Sequence, residues 1–337
     1  MTNVACFVGL DYHQNSVQVC VLDASGRERF NRACANDWEA ITAAVAPFGP
    51  VRRAAVEACG GSADLAQELV DRAAWQVDLA HPGYVERMKR SPDKHDKADS
   101  FVLADLTRVG YLPKVFLASA YERDLRALVN HRQSIVDQGR ALKLRLGALL
   151  REQRAFPPEG SGGLSRWSRP WVAWVKGGAD LSDAARWIAL DLLGEIEHLA
   201  GKERAARVRL RALTASDTKV HRLREEPGIG EVTAWTLRAF VGRFDRFPTA
   251  RKLSHYCGLS PRNASSGEHR AQGGLIKGCN KLLRATLIQM AHRLIRTQPR
   301  WSKLAATMRA RGKPACVAVA AVANRFVRGL WHRQKQN

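Results

Sequence analysis

Two acidic residues in the first third of the chain have the spacing of a metal-binding pair. Asp96 and Asp99 lie three residues apart in a segment whose apolar residues recur at helical spacing, so on a helix their carboxylates share one face. Two close carboxylates repel each other unless a cation lies between them. Lys94 and Lys97 are candidate partners, and so is a divalent metal ion. A solvated helix start is the simpler alternative, because the helix dipole favours Asp there.

Two further acids end predicted β-strands. Asp11 follows the apolar run Val4–Leu10, and Glu57 is the last residue of a strand predicted from Val51. Sites in open α/β sheets are built at the edge where the strands have their C-terminal ends. A helix packed across that edge would add Asp96 and Asp99. Singly, Asp11 is explained as a turn residue and Glu57 as an acid before a helix. Together the four acids favour a two-metal phosphodiester site, in which carboxylate oxygens bind Mg²⁺ or Mn²⁺.

The elements around these acids predict a mixed sheet with flanking helices. Three short extended runs form an antiparallel meander, after which helices and strands alternate. The predicted elements are strands Val4–Leu10, Ser16–Leu22, Arg27–Arg32, Val51–Glu57 and Gln76–Leu79, with helices Asp37–Val45 and Asp64–Ala74.

The middle of the chain has the pattern of two long helices, Ser119–Arg151 and Leu181–Leu213. They are expected to pack as an antiparallel pair or to act between subunits. The segment between them, 156–178, is rich in Pro, Gly, Ser and Trp and predicts a flexible loop. Its tryptophans are interpreted either as stacking platforms for bases or as a hydrophobic plug between subunits; they are Trp167, Trp171 and Trp174.

The last third is helical and strongly basic. Gly228 and Gly230 lie in a glycine turn before a predicted helix from Glu231 to Val241, where free N–H groups would face a phosphate; a plain turn between helices is the alternative. Polar loops follow, one of which holds Ser260, Ser265 and Ser266. The residues expected to contact nucleic acid are Gly228, Gly230, Arg262, Arg270, Lys277 and Lys281.

Charge divides the chain into parts with separate tasks. The net charge is +22 over 337 residues, which points to a polyanionic partner such as nucleic acid. Residues 1–113 hold 12 basic and 15 acidic residues, whereas from Arg251 onward there are 18 basic residues and one acid, Glu268. We therefore expect metal chemistry in the N-terminal part of the chain and phosphate binding in the C-terminal part.

Cysteine spacing and hydropathy exclude several other classes. None of the seven cysteines forms a CxxC pair, which argues against a zinc ribbon, and the odd count argues against a disulfide framework. No signal peptide is recognised, and no apolar run has transmembrane length. These features predict a cytosolic protein with reduced thiols.

The chain resembles the DEDD-type insertion-sequence transposases, RNA-guided DNA recombinases related to the pilin-gene invertases. The resemblance covers essentially the whole length and depends on motif order. The matching motifs are Gly9-Leu10-Asp11, Val56-Glu57-Ala58, Lys94-His95-Asp96-Lys97-Ala98-Asp99, Pro227-Gly228-Ile229-Gly230, Gly258-Leu259-Ser260-Pro261-Arg262, Ser265-Ser266-Gly267 and Lys277-Gly278. One departure is Cys59, where relatives often carry Thr.

The resemblance implies a fold and a mechanism. Asp11, Glu57, Asp96 and Asp99 would bind Mg²⁺ or Mn²⁺ in a RuvC-like domain of RNase H type, and Ser266, beside Ser265, would be the nucleophile. It also implies a homo-oligomer, a dimer or tetramer, in which the serine of one subunit completes the carboxylate site of another. The implied partners are donor DNA, target DNA and a structured noncoding guide RNA, in the bacterial cytoplasm at the nucleoid.

These inferences give three expected domains and three candidate functions. The domains are a RuvC-like catalytic domain (1–113), a long helical, coiled-coil-like region (114–220) and a basic helical transposase domain (221–337). The main hypothesis is a transposase that works through a phosphoserine–DNA intermediate. One rival is a RuvC-like nuclease or junction resolvase that uses metal-activated water; Ser266→Ala separates it from the main hypothesis. The other is a nucleic-acid-binding scaffold, for which Asp11→Asn would change nothing.

Overall fold

A six-stranded mixed sheet forms the first part of the computed structural model, which describes residues 5–86, 95–157, 165–263 and 272–335. The chain separates into two units, residues 1–121 and 122–337. The strands of the sheet are β1 (Cys6–Tyr12), β2 (Ser16–Leu22), β3 (Glu28–Ala35), β4 (Val51–Glu57), β5 (Val77–Ala80) and β6 (Lys114–Val115). The helices of the first unit are α1 (Trp38–Val45), α2 (Ser62–Ala73), α3 (Pro82–Val85) and α4 (Asp96–Arg108).

The strand order is β3-β2-β1-β4-β5-β6. Strands β1, β2 and β3 form the antiparallel meander, β4 and β5 lie parallel to β1, and β6 closes the edge in the antiparallel direction. The predicted mixed sheet with flanking helices is confirmed and is the arrangement of an RNase H/RuvC-like fold. Strand β6 and helix α3 were not predicted, because two and four residues are too short to show a hydrophobic period.

Both faces of β1 and β2 are covered, which explains why these strands are mostly buried and largely apolar. On one face, Val8, Leu10 and Val19 pack with α1 and α2 through Ile41 and Leu69. Helix α4 covers the other face, where Ala104 packs on the second strand, beside Cys20 and Leu22. The centre of the sheet is therefore a buried layer, and Asp11 and Glu57 lie near or at the ends of its strands.

The second unit begins with two long antiparallel helices, α5 (Ala120–Glu152) and α7 (Asp183–Leu213). The first two residues of α5 belong to the first unit. Arg132 on α5 pairs with Glu203 on α7 at 2.7 Å, and further along α5 Leu150 clusters with Ala185 near the start of α7. Later residues of α5 thus contact earlier residues of α7, as expected for an antiparallel pair.

The segment expected to be a flexible loop contains packed structure in its described residues. Helix α6 (Arg169–Ala173) is followed by a π-helical turn, Trp174–Gly178. Trp171 is buried, and its ring centroid lies 4.7 Å from that of Trp167 and 6.3 Å from that of Trp174. These rings form an apolar cluster with α5 and α7. The apolar area of the tryptophans outweighs the local turn composition, and at Trp171 it leaves no face for stacking on a base.

Among its described residues, the rest of the second unit is helical apart from one pair of antiparallel strands. Helix α11 packs against α9, α12 and α13, and α10 also packs against α13. The elements are α8 (Thr218–Glu225), α9 (Glu231–Phe240), α10 (Ala250–Tyr256), β7 (Pro261–Asn263), β8 (Gln272–Leu275), α11 (Lys281–Thr297), α12 (Pro299–Ala310) and α13 (Ala315–Lys335). In the described part of the chain, no helix combines the length and apolar character needed to cross a bilayer.

A buried ion cluster ties α5, α8 and α9 together. The Arg238 guanidinium donates to Asp217 Oδ2 at 2.8 Å and to Glu122 Oε1 at 2.5 Å. The three side chains are only 10%, 9% and 5% exposed. Burial alone would lower the pKa of Arg238, but the hydrogen bond to Glu122 and the charge of Asp217 raise it. The charges therefore compensate one another inside the unit.

Candidate metal centre

Asp11 and Glu57 lie side by side at one edge of the sheet. In the parallel pair β1–β4, Leu10 is opposite Val56, so the next residue on each strand is one of the two acids. The Asp11 side chain is 16% exposed. Strand β4 has the bounds predicted from the sequence, and β1 continues one residue beyond Asp11, to Tyr12. These strand bounds place both acids near or at the carboxyl ends of neighbouring strands.

Helix α4 brings the second pair of acids to this edge by crossing β1 at Gly9. A Cβ atom at Gly9 would collide with the Ser100 carbonyl oxygen and would lie 2.5 Å from the Ala104 nitrogen, both in the helix backbone. Only glycine permits this approach. The helix starts at Asp96, which is exposed, and one turn later Asp99 is buried.

A hydrogen-bond network fixes the first turn of α4 against the meander. The Asn31 amide on β3 donates to the Lys97 carbonyl at 3.0 Å and accepts from Ser100 Oγ at 3.2 Å. Its oxygen also accepts from Gln18 Nε2 at 2.8 Å, and Gln18 is the cross-strand neighbour of Asp11. Both Gln18 and Ser100 are buried, so these bonds satisfy groups that water cannot reach.

The loop after Glu57 is also constrained. Gly61 has φ +92°, and a Cβ there would run into the Tyr12 hydroxyl group. Ser62 Oγ accepts from the Cys59 N–H at 3.0 Å and donates to the Cys59 carbonyl at 3.1 Å. The backbone at Cys59 is therefore held by Ser62, while the cysteine side chain itself is exposed.

His13 joins the acids and was not singled out from the sequence. Its Nε2 lies 3.5 Å from Asp11 Oδ2 and 3.4 Å from Asp96 Oδ2. One ligand atom from each of these three residues lies within 4.8 Å of the others. A single histidine in a turn has no periodic signal; the available clue is its position two residues after Asp11, on the same face of an extended chain.

Burial, together with the charges of Asp99, Asp96 and Glu57, raises the pKa of Asp11 to about 6, whereas the charge of His13 acts in the opposite direction. The four predicted acids are thus close enough to interact electrostatically. Among the described residues, the ion-pair partner of Asp11 and Asp96 is His13, and no Lys or Arg fills that place. The arrangement is one in which an added cation relieves repulsion.

The donor set fits a hard divalent ion. Carboxylate oxygens from β1, β4 and α4 are the ligands that Mg²⁺ and Mn²⁺ prefer. Asp11, Glu57, Asp96 and Asp99 would hold such ions, which can polarise a phosphodiester and stabilise its leaving oxygen. Because its pKa is raised, the Asp11 carboxyl group would need a nearby positive charge to stay ionised at acidic pH.

The structure gives only part of the predicted nucleic-acid surface. Ser265, Ser266 and Arg270 lie outside the described residues. Arg262, Lys277 and Lys281 are exposed, on β7, after β8 and at the start of α11.

The glycine turn has a packing role of its own. Gly228 has φ +91°, and a Cβ there would clash with the Leu294 side chain on α11. Gly230 caps α9, whose first residue, Glu231, accepts from Arg207 and Arg211 at 2.7–2.9 Å. The expected phosphate contact at this turn stays a prediction.

Two family models match the chain. Residues 8–155 match an IS110-type DEDD transposase model, and residues 220–306 match the transposase IS116/IS110/IS902 family model. The first segment contains the four acids, and the second contains the basic helical region and its serine loop.

Curated relatives agree with the models. The transposase for insertion sequence element IS1111A of Coxiella burnetii is 26% identical over 93% of this chain and 86% of its own length. A probable family 20 transposase of Pseudomonas aeruginosa is 26% identical over 82% of each chain, and the transposase for insertion sequence element IS1328 of Yersinia enterocolitica is 25% identical over 86% and 84%. Both models match in order along one chain and, together with these relatives, they support an IS110/IS116-type transposase, a DNA-processing enzyme.

Proposed function

We propose that the protein moves an insertion sequence by cutting and rejoining DNA at the acidic cluster, with Mg²⁺ or Mn²⁺ as cofactor. The proposal is supported by the charges of Asp96, Asp99 and Glu57, which all act on Asp11 at one sheet edge, and by the lack of a Lys or Arg paired to Asp11 or Asp96 among the described residues. An acidic cluster of this kind suits a phosphodiester reaction, because bound cations compensate both the carboxylates and the phosphate.

The four acids have a common task in this proposal. They hold the ions, and the shift in the pKa of Asp11 means that its carboxylate gains most from a neighbouring positive charge. Gly9 and Asn31 position the acids of α4. A bound ion supplies Lewis-acid chemistry, which favours loss of a hydroxyl proton and stabilises charge on the leaving oxygen.

The proposed nucleophile is the hydroxyl group of Ser266. Its Oγ forms a bond to phosphorus while the bond from phosphorus to one sugar oxygen breaks; the serine proton is lost and the released oxygen gains one. The phosphoserine retains the energy of the broken ester, so attack by a second DNA hydroxyl rejoins strands without ATP. Serine requires activation for this role, which explains the need for a metal site.

The partners are proposed from charge and family resemblance. From Arg251 onward the chain has 18 basic residues and one acid, which supports binding of donor and target DNA and of a structured guide RNA. We further propose that the protein forms a homo-oligomer at the bacterial nucleoid. Within each chain, we propose three domains with boundaries after residues 113 and 220. RNA that co-purifies with the protein and maps beside its reading frame is the expected evidence for guiding.

The test is to trap the covalent intermediate. The protein is expressed with its native flanking DNA, denatured during excision and digested, and the peptide containing Ser265 and Ser266 is searched for a nucleotide adduct by mass spectrometry. Ser266→Ala is compared with the matched control Ser265→Ala. We expect the adduct and excision in wild type and in Ser265→Ala, and neither in Ser266→Ala.

Two results would contradict the proposal. If cutting persists in both serine variants without an adduct, the enzyme hydrolyses DNA with metal-activated water. If Asp11→Asn leaves DNA processing unchanged, the acids are not part of the reaction. An adduct that disappears only in Ser265→Ala would move the nucleophile by one residue.

A further inference from the structure

The imidazole of His13 lies between two carboxylates that come from different elements. Nε2 is 3.5 Å from Asp11 Oδ2, at the end of β1, and 3.4 Å from Asp96 Oδ2, at the start of α4. Both distances exceed those of a good N–H···O hydrogen bond, which are about 2.7–3.2 Å. The ring thus faces both acids without a close bond to either, and the three ligand atoms surround a common space.

The main chain at His13 is held in place. Its N–H donates to the Ser16 carbonyl at 2.9 Å, across the turn between β1 and β2. Its carbonyl accepts from Asn36 Nδ2 at 3.2 Å, and the same amide group donates to the Gln14 carbonyl at 3.1 Å. The ring therefore projects from a fixed backbone, while 48% of the side chain remains open to solvent and to an arriving ion.

We propose that His13 is a direct ligand of the divalent ion, binding through Nε2 beside Asp11 and Asp96. The inference rests on the proposed metal-dependent function and adds a nitrogen to an otherwise oxygen-only site. Imidazole nitrogen favours metals later in the first transition row, whereas Mg²⁺ prefers oxygen. The site should therefore bind Mn²⁺ more tightly than Mg²⁺, and His13 should account for much of that preference.

The competing role for His13 is that of a positively charged counter-ion. In that role the ring neutralises Asp11 and Asp96 when no metal is bound and is displaced when a metal arrives. The two roles differ in whether a histidine nitrogen touches the ion, and a spectroscopic measurement on the metal reports this without any assay of activity.

The experiment uses the full-length protein loaded with Mn²⁺ and electron spin-echo envelope modulation. We expect a directly bound ¹⁴N signal that changes when the histidines are labelled with ¹⁵N. The signal should vanish in His13→Asn and in a second variant, His13→Ala, and persist in the matched control His198→Asn, an exposed residue of α7. Mn²⁺ binding should weaken by about tenfold or more in the His13 variants, since even removing an outer-shell partner costs 10–100-fold, and Mg²⁺ binding should weaken less.

The outcomes separate this inference from the function on which it rests. Tight Mn²⁺ binding without nitrogen coupling in wild type, or coupling that survives both His13 substitutions, would overturn His13 as a ligand and leave the carboxylate site intact. If wild type fails to bind Mn²⁺, or if Asp11→Asn binds it equally well, the metal-dependent function itself fails.

Discussion

Two clusters of acidic side chains in the described part of the chain are compensated in opposite ways. In the second unit, Glu122 and Asp217 are buried around the guanidinium of Arg238, which donates a hydrogen bond to each. In the first unit, Asp11 meets three other acids, and the ion-pair partner that it shares with Asp96 is a half-exposed histidine. One cluster is complete as a protein structure, and the other gains from an added cation.

We interpret this difference as one between carboxylates that support the fold and carboxylates that are available for chemistry. Burial of Glu122 and Asp217 is tolerated because each is paired within hydrogen-bond distance. The pKa of Asp11 is raised instead, since burial and neighbouring acids disfavour its charged form. Groups whose pKa is shifted in this way are typical of functional sites. The contrast can be tested by removing the Asp11 carboxylate from one cluster and the Arg238 guanidinium from the other.

The largest effect is expected from Asp11→Asn. Excision of the element should fall about 10³-fold or more, because several kcal/mol of charge stabilisation would be lost with the metal site. The free energy of unfolding should stay the same or rise, because a carboxylate with a raised pKa is removed. A plasmid excision assay and chemical denaturation measure the two quantities. A large loss of stability would mean that Asp11 supports the fold, like the acids of the other cluster.

Arg238→Met should have the opposite profile. Leaving Glu122 and Asp217 buried without this partner should cost about 3–5 kcal/mol of stability. Amide hydrogen exchange in α9 reports the loss within the second unit. The triple variant Glu122→Gln, Asp217→Asn, Arg238→Met should recover most of it, because no uncompensated charge remains. If the single variant is as stable as wild type, the cluster is not what holds these helices.

The raised pKa of Asp11 predicts a pH dependence of metal binding. A proton and a metal compete for this carboxylate, so the affinity for Mg²⁺ should be constant at higher pH and fall up to about tenfold per unit below pH about 6. Measuring it in His13→Asn removes the contribution of the imidazole. In the metal-free protein the proton favours the fold at acidic pH, and this contribution is lost as pH rises through about 6. Affinity that stays constant down to pH 4.5 would exclude Asp11 as a ligand.

A smaller effect is expected from Asn31→Ala, which removes the contact between β3 and the first turn of α4. Loss of bonds to Lys97, Ser100 and Gln18 should cost about 1–3 kcal/mol locally, because two of these partners are buried. Hydrogen exchange should increase at the start of α4, and excision should fall about tenfold. Gln133→Ala, which removes one exposed side-chain hydrogen bond to Asp137 in α5, is the control. Unchanged exchange in α4 would show that Gly9 packing alone positions the helix.

The sequence predicted the positions of the four acids in the fold better than it predicted their surroundings. Strand β4 was predicted with its observed bounds, because its apolar residues end at a charged one, and the spacing of Asp96 and Asp99 required only a helix. Nothing local marks His13 as a neighbour of Asp96, since the contact depends on how α4 crosses β1. The roles of the four acids remain predictions.

The second unit shows why long-range pairing is hard to predict. Arg238 bonds to Glu122, 116 residues away in sequence, and both residues resemble surface charges within their own helices. The packed Trp segment was expected to be a loop, because its Pro and Gly content describes local backbone freedom and not the burial of Trp171. Ser266, the proposed nucleophile, lies outside the described residues.

We propose that the acidic cluster of the first unit, and not that of the second, binds divalent ions. Hydrogen exchange with mass spectrometry during a Mn²⁺ titration of wild type and Asp11→Asn tests this binding. We predict saturable protection at the ends of β1 and β4 and at the first turn of α4 in wild type, and none in the variant. Absence of protection at millimolar Mn²⁺, or equal protection in Asp11→Asn, would show that this cluster does not bind the ions.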